Sequence, residues 1–171
     1  MSESTITKKA IASAFKQVML EKSFDKITVQ DITVKCGLNR QTFYYHFEDR
    51  YDLLNWIYYH EVFMPFVEVL TEDNYHESFL VMFKIMYQDK LFYKNAFSMT
   101  AEHGFKEYMY SILETLVETI AKQKKESIEV CFYAHGLLGI IISWIKQGML
   151  YTPEEMAIQV TDILKKTKNI M

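Results

Sequence analysis

Turn-forming residues are scarce in this chain: two prolines and five glycines among 171 residues. A β-rich domain draws heavily on such residues at every reversal of the chain, so strands are not expected. The only two cysteines, Cys36 and Cys131, form no CxxC, which leaves a disulfide framework or a zinc site without support and fits a reducing cytoplasm. The longest apolar run, Gly136 to Ile145, is ten residues. That is about half of the roughly 20 a membrane span needs, so a buried helix is expected there and no membrane partner. The opening MSESTITKKA is polar, unlike a secretory signal. Excess charge is missing too: a net −3 argues against a protein that coats nucleic acid without regard to sequence.

What is present is apolar and aromatic. Half of the residues are hydrophobic, including twelve Tyr, twelve Phe and ten Met, enough for a sizeable core of packed helices. The expected fold class is all-α. Charge is unevenly spread: residues 1–50 hold eight Lys or Arg against six Asp or Glu, and residues 51–171 hold eleven against sixteen. A mildly basic head, 1–50, on an acidic body, 51–171, suits a protein that meets phosphate through a small footprint.

Helical periodicity runs through the chain. Ile6, Ala10, Ile11, Ala14, Phe15, Val18 and Met19 repeat at three and four residues over about Thr5–Glu21, with Lys8, Lys9 and Lys16 placed outside. From Thr28 to Phe47, two short helices joined by a glycine turn are spelled out. Thr28 is a good N-cap with Asp31 three residues on, and Val29, Ile32 and Cys36 share an apolar face. Gly37 stops that helix in a left-handed turn, Leu38 plugs the corner, and Asn39 caps the next. In this second helix Phe43 and Phe47 face the core, while Arg40, Gln41, Thr42, Tyr44, Tyr45 and His46 project elsewhere. The pattern is a helix-turn-helix whose outer side is built to be read against something.

Further along, Asp49 and Asp52 cap a fourth helix that Pro65 kinks or ends. A fifth helix follows a cap at Asn74, a short sixth covers Leu91–Phe97, and Ser98–Gly104 reads as a loop. A seventh spans about Phe105–Lys122 and an eighth about Ser127–Met149. Thr152-Pro153-Glu154-Glu155 starts a ninth, which ends near Lys168. Enzyme motifs are missing: His60-Glu61 and His76-Glu77 begin like zinc-protease helices, but Met64 and Leu80 stand where a second His is needed. Neither a phosphate-binding glycine loop nor a GxSxG elbow occurs, and no cofactor or metal is expected.

The stretch Ile27–Leu54, ITVQDITVKCGLNRQTFYYHFEDRYDLL, resembles the TetR family of bacterial transcription regulators, with TFYYHF, Arg50 and Leu53 carrying the likeness. The later GLLGIIISWIKQGMLYTPEEMA is similar to one C-terminal subtype, which includes activators of dihydroxyacetone kinase operons. The resemblance implies a DNA-reading third helix, with Arg40, Gln41, Thr42 and Tyr44 against base edges and neighbouring phosphates. Tyr45, His46, Arg50, Thr28 and Gln30 would hold phosphate, although half-buried packing is the competing reading for Tyr44 and Tyr45. Glu48 would repel it. The resemblance also implies a homodimer on a near-palindromic double-stranded operator, through helices eight and nine, using Leu138, Gly139, Ile142, Ile145, Met156, Val160 and Ile163. Burial of that stripe inside one subunit is the other reading. Finally it implies an effector region near Trp56, Tyr59, Phe63, Phe83, Tyr87 and Tyr108, which holds a small molecule or else is plain core. In the latter case the signal enters through a docked partner protein, as a kinase-like partner does in the activator branch.

Overall fold

The computed structural model describes residues 3–71, 75–97, 104–121 and 127–168. Among them are nine helices and no strand. They are α1 (Glu3–Glu21), α2 (Val29–Cys36), α3 (Arg40–His46), α4 (residues 50–68), α5 (Tyr75–Gln88), α6 (Lys90–Phe97), α7 (Phe105–Ala121), α8 (Ile128–Lys146) and α9 (Pro153–Lys168). A 3-10 turn, Phe24–Lys26, bridges α1 and α2. The expected cap at Asn74 and most of the expected loop Ser98–Gly104 lie outside the described residues.

Local chemistry sets most boundaries. Thr28 and Asp31 form a complete capping box: the Thr28 Oγ1 accepts from the Asp31 N–H (3.2 Å), and the Asp31 carboxylate accepts from the Thr28 N–H (2.8 Å). Gly37 closes α2 at φ 68°, with the Leu38 N–H bonded to the Thr33 carbonyl at 2.9 Å and the Gly37 N–H to that of Val34 at 3.3 Å. Asn39 caps α3 and Asp49 caps α4 through their side-chain oxygens. At α9, Thr152 and Glu155 repeat the capping box around Pro153.

Pro65 neither ends α4 nor bends it alone. Helix Arg50–Tyr58 widens into a π turn, Tyr59–Phe63, before resuming as Met64–Glu68, and the Met64 N–H bonds to the Tyr59 carbonyl five residues back. Proline offers no N–H to the carbonyl four residues before it, so the ladder slips by one residue rather than stopping.

One core runs through the molecule. Phe15 of α1 is fully buried between the edges of Phe24 (6.0 Å between centroids) and Phe92 (6.1 Å). Burial of each such ring contributes on the order of 2 kcal/mol. In the body, α5 packs on α9, and α8 packs on both α6 and α7.

Two sequence expectations change. The buried stripe of α1 begins at Ile11: Ile6 and Ala10 are exposed, whereas Lys16 is half-buried among carboxylates. Helix α8 is not buried all round. It is long and apolar enough by length and composition to cross a membrane, yet in this fold one flank is covered and the other is open.

Candidate nucleic-acid interface

The second half of the helix-turn-helix is anchored from beneath. Phe43 is completely buried and Phe47 nearly so, their rings 5.8 Å apart, which fixes the rotation of α3 about its axis. That rotation sends Arg40, Gln41, Tyr44 and Tyr45 outward. Tyr45 is 81% exposed and Tyr44 51%, so neither is a core aromatic. Tyr44 packs edge-on against Phe43 (5.5 Å) with about half of its surface open, and Tyr45 is open over most of its surface, which leaves it available to a partner. The Arg40 guanidinium lies 6.0 Å from the Tyr44 ring, a loose contact that leaves its fork of donors facing out. His46 is half-buried and edges onto Tyr45 at 4.9 Å.

Three other expected contacts are already engaged. The Thr42 hydroxyl donates to the Asn39 side-chain oxygen (3.1 Å). The Thr28 hydroxyl donates to Asp31 (2.8 Å), whose carboxylate also holds the Lys22 ammonium at 2.6 Å. Lys22 first, then the Thr28 backbone N–H and hydroxyl, bring the Asp31 carboxyl down to about 2. An ionised carboxylate therefore occupies the α2 N-terminus, with Thr28 as its cap, and Gln30 beside it is exposed.

Arg50 also has partners within the subunit. Its Nη1 donates to the carbonyls of Phe24 (2.8 Å) and Ile27, and its guanidinium sits 5.0 Å from the Phe24 ring centre. The Phe24 carbonyl also accepts the Ile27 N–H (3.1 Å) that closes the 3-10 turn, so the planar cation from α4 adds a second donor to it. Arg50 thus ties the start of α4 to the 3-10 turn that follows α1.

Residues 11–57 match the family described as "Bacterial regulatory proteins, tetR family", and residues 73–166 match "Transcriptional regulator C-terminal region" of the same family. The chain belongs to the TetR family of transcription regulators. A curated relative, the HTH-type dhaKLM operon transcriptional activator DhaS of Lactococcus lactis subsp. lactis (strain IL1403), is 29% identical over 132 residues, covering 74% of this chain and 67% of the relative. Among solved structures, "Dihydroxyacetone kinase operon activator DhaS" superposes with a TM-score of 0.75 at 23% identity over 98% of both chains. NalD, the secondary repressor of the MexAB-OprM multidrug efflux pump in Pseudomonas aeruginosa, reaches 0.63 at 16% identity over 96% of this chain and 97% of its own. These likenesses establish a TetR-type fold.

In this TetR-family chain the expected dimer residues divide into two sets. Leu138, Ile145, Met156 and Val160 are buried within the subunit, because α8 and α9 turn them toward α5, α6 and α7, and they are removed from the interface set. Gly139 and Ile163 are exposed and Ile142 is half-exposed. Sequence reasoning missed their companions on α8, Ile128 (87% exposed) and Phe132 (71%), which continue the same open face. A Cβ added at Gly136 or Gly139 would meet nothing within 4 Å, so the subunit's own packing does not demand glycine there.

The expected effector residues do not form one lining. Phe83 is fully buried with its ring edge on Trp144 (5.2 Å), and Tyr87 stacks on the same Trp144 at 6.3 Å, where its own ring is partly at the surface. Trp56 lies on the head side against Phe47 (5.8 Å) and His60 (4.5 Å). Tyr59 packs on Phe63 within the π turn, and Tyr108 is half-buried. Phe83 thus lies in the core of the body, whereas Trp56 is half-buried on the head side.

Proposed function

We propose that the protein binds a near-palindromic operator in double-stranded DNA as a homodimer in the cytoplasm, and that an input to the body modulates this binding. The observation that carries the reading is α3 itself: a capped helix, held by Phe43 and Phe47, that turns Arg40, Gln41, Tyr44 and Tyr45 outward together. Arg40 matches the O6 and N7 acceptors of guanine, Gln41 the N6 and N7 pattern of adenine, and the Thr42 methyl that of thymine. Tyr45, His46 and Gln30 face neighbouring phosphates in this arrangement.

A single helix-turn-helix offers too little area for specific binding, so two heads are needed. The open face of α8, with Ile128, Phe132, Gly139 and Ile142, together with Ile163 of α9, supports a second copy as its cover. Glycine at 136 and 139 permits close helix approach.

A second reading concerns the input, and the similarity to an activator of the dhaKLM operon favours it. The aromatics Phe83, Tyr87 and Trp144 pack on one another, whereas a drug-sized ligand needs a cavity of about 300 to 1,000 Å³. A partner protein or a very small molecule accordingly supplies the signal in this reading.

Selection of binding sites from random duplex DNA, with light scattering of the complex, tests the proposal. Recovery of an inverted repeat bound by two subunits supports it. In the Arg40→Ala variant one base position in each half-site loses preference, by roughly 1 to 3 kcal/mol. Failure to enrich any sequence overturns the DNA-reading assignment.

A further inference from the structure

Head and body are joined covalently by α4, which is a compliant link. Its π turn at Tyr59–Phe63 and the N–H that Pro65 lacks weaken the ladder where the helix passes from one part to the other. A second connection runs through α1 and α6, and it is made of directed bonds. The Asn95 side chain, in α6, donates through Nδ2 to the carbonyls of Met19 (2.8 Å) and Lys22 (2.7 Å), and its Oδ1 accepts the Phe24 N–H (3.1 Å). One amide from the body therefore grips the end of α1 and the 3-10 turn after it, where backbone groups run out of helix partners.

Lys16 reinforces the grip. Its Nζ lies 2.6 Å from Glu61, in the π turn, and 2.5 Å from Asp89, at the corner between α5 and α6. The Asn95 bonds and the Asp89 contact tie α1 to α6 and its corner, while the Glu61 contact ties it to the π turn of α4. Helix α6 in turn buries Phe92, Tyr93, Ala96 and Phe97 and packs on α8.

We propose that Asn95 is the positioning residue through which the body sets the posture of the DNA-reading head, with α6 and α1, rather than α4 alone, as the transmitting elements. Its geometric part stands on the distances above; its consequence for operator binding rests on the reading under Proposed function. Three hydrogen bonds to three backbone groups fix both the distance and the rotation of α1 against α6. Such bonds weaken steeply once the heavy atoms separate much beyond 3.2 Å or the angle closes. An input that displaces α6 by about 1 Å thus releases or re-aims α1, and α2 and α3 follow through their packing on it. Small shifts become two-state changes because packed interfaces do not deform continuously.

The test measures posture and binding separately. Spin labels at Val34→Cys in the head and Thr115→Cys in the body, in a Cys36→Ser, Cys131→Ser background diluted with unlabelled chain, report the head-to-body distance by double electron–electron resonance. Asn95→Ala is expected to broaden or shift that distribution with helical content unchanged. Operator affinity falls about tenfold, while its salt slope stays as in the parent because no phosphate contact is removed. A distribution that superposes on the parent's overturns the proposal, and so does a shifted distribution with operator affinity within about twofold of the parent's. If Asn95→Ala does not fold, Asn95→Gln, which keeps the amide on a longer stem, is judged by the same two criteria. A parent protein that enriches no DNA sequence fails the functional reading instead, and the distance measurement then decides alone.

Discussion

The Arg50 guanidinium lies over the ring of Phe24 and donates to the carbonyl of that same residue at 2.8 Å. One side chain at the first turn of α4 so engages both the face and the backbone of a buried residue 26 positions earlier. Helix α4 cannot start in another direction without losing both contacts, which makes Arg50 part of what orients the reading head.

Arg50→Ala is therefore expected to act on stability first. Hydrogen bonds to a charged group are worth about 1.5 to 3 kcal/mol, and loss of that order in urea unfolding is the expected outcome. The salt dependence of operator binding should keep its slope. A slope that drops by about one counterion would mean that Arg50 reaches phosphate after all.

Gly139→Arg should yield a folded monomer. Within the subunit the new side chain has room, since an added Cβ meets nothing within 4 Å. Against a second α8 face it places a bulky charge in a close apolar contact, where desolvation and overpacking oppose association together. Light scattering with circular dichroism decides this. An unchanged dimer at full helicity moves the interface off this part of α8.

Tyr93→Phe should stabilise the protein by about 1 kcal/mol, because a buried polar group without a partner carries its full desolvation cost. The Tyr93 hydroxyl is inaccessible and makes no hydrogen bond among the described residues, and burial pushes it well above its ordinary value. Thermal unfolding of the two proteins is the measurement. Destabilisation would show that the hydroxyl has a bridging partner.

The Asp31 cap should fail in acid. Its carboxyl is held at about 2, below the ordinary 3.8, so the ionised form is favoured by folding. The stabilisation is present above the ordinary value and is lost as pH falls from 3.8 toward 2. Asp31→Asn should differ from the parent in stability by a constant amount at neutral and mildly acidic pH, and the gap should narrow only below pH 3.8. A gap that closes well above that pH would show that the Lys22 and Thr28 bonds do not hold the carboxylate in solution.

Element boundaries were legible in the sequence because the groups that make them lie within three or four residues of one another. Thr28 and Asp31, Gly37 and Leu38, Asn39 and Thr42, and Thr152 and Glu155 each satisfy backbone donors or acceptors locally, and no distant partner is needed. Periodicity likewise placed Phe43 and Phe47 inward and Tyr44 and Tyr45 outward, since a short helix with two large apolar residues four apart has one way to bury them.

Tertiary structure alone decided what lies across from a given face. Helix α8 is apolar nearly all round, so its pattern could not separate Leu138, covered by its own subunit, from its neighbour Gly139, left open. The family resemblance implied a phosphate contact for Arg50; only the fold brings the Phe24 and Ile27 carbonyls beneath it. Asn95 carried no signal at all, its three partners lying more than 70 residues away. A local sequence window records which groups need partners, and the packing of distant helices determines which partners they find.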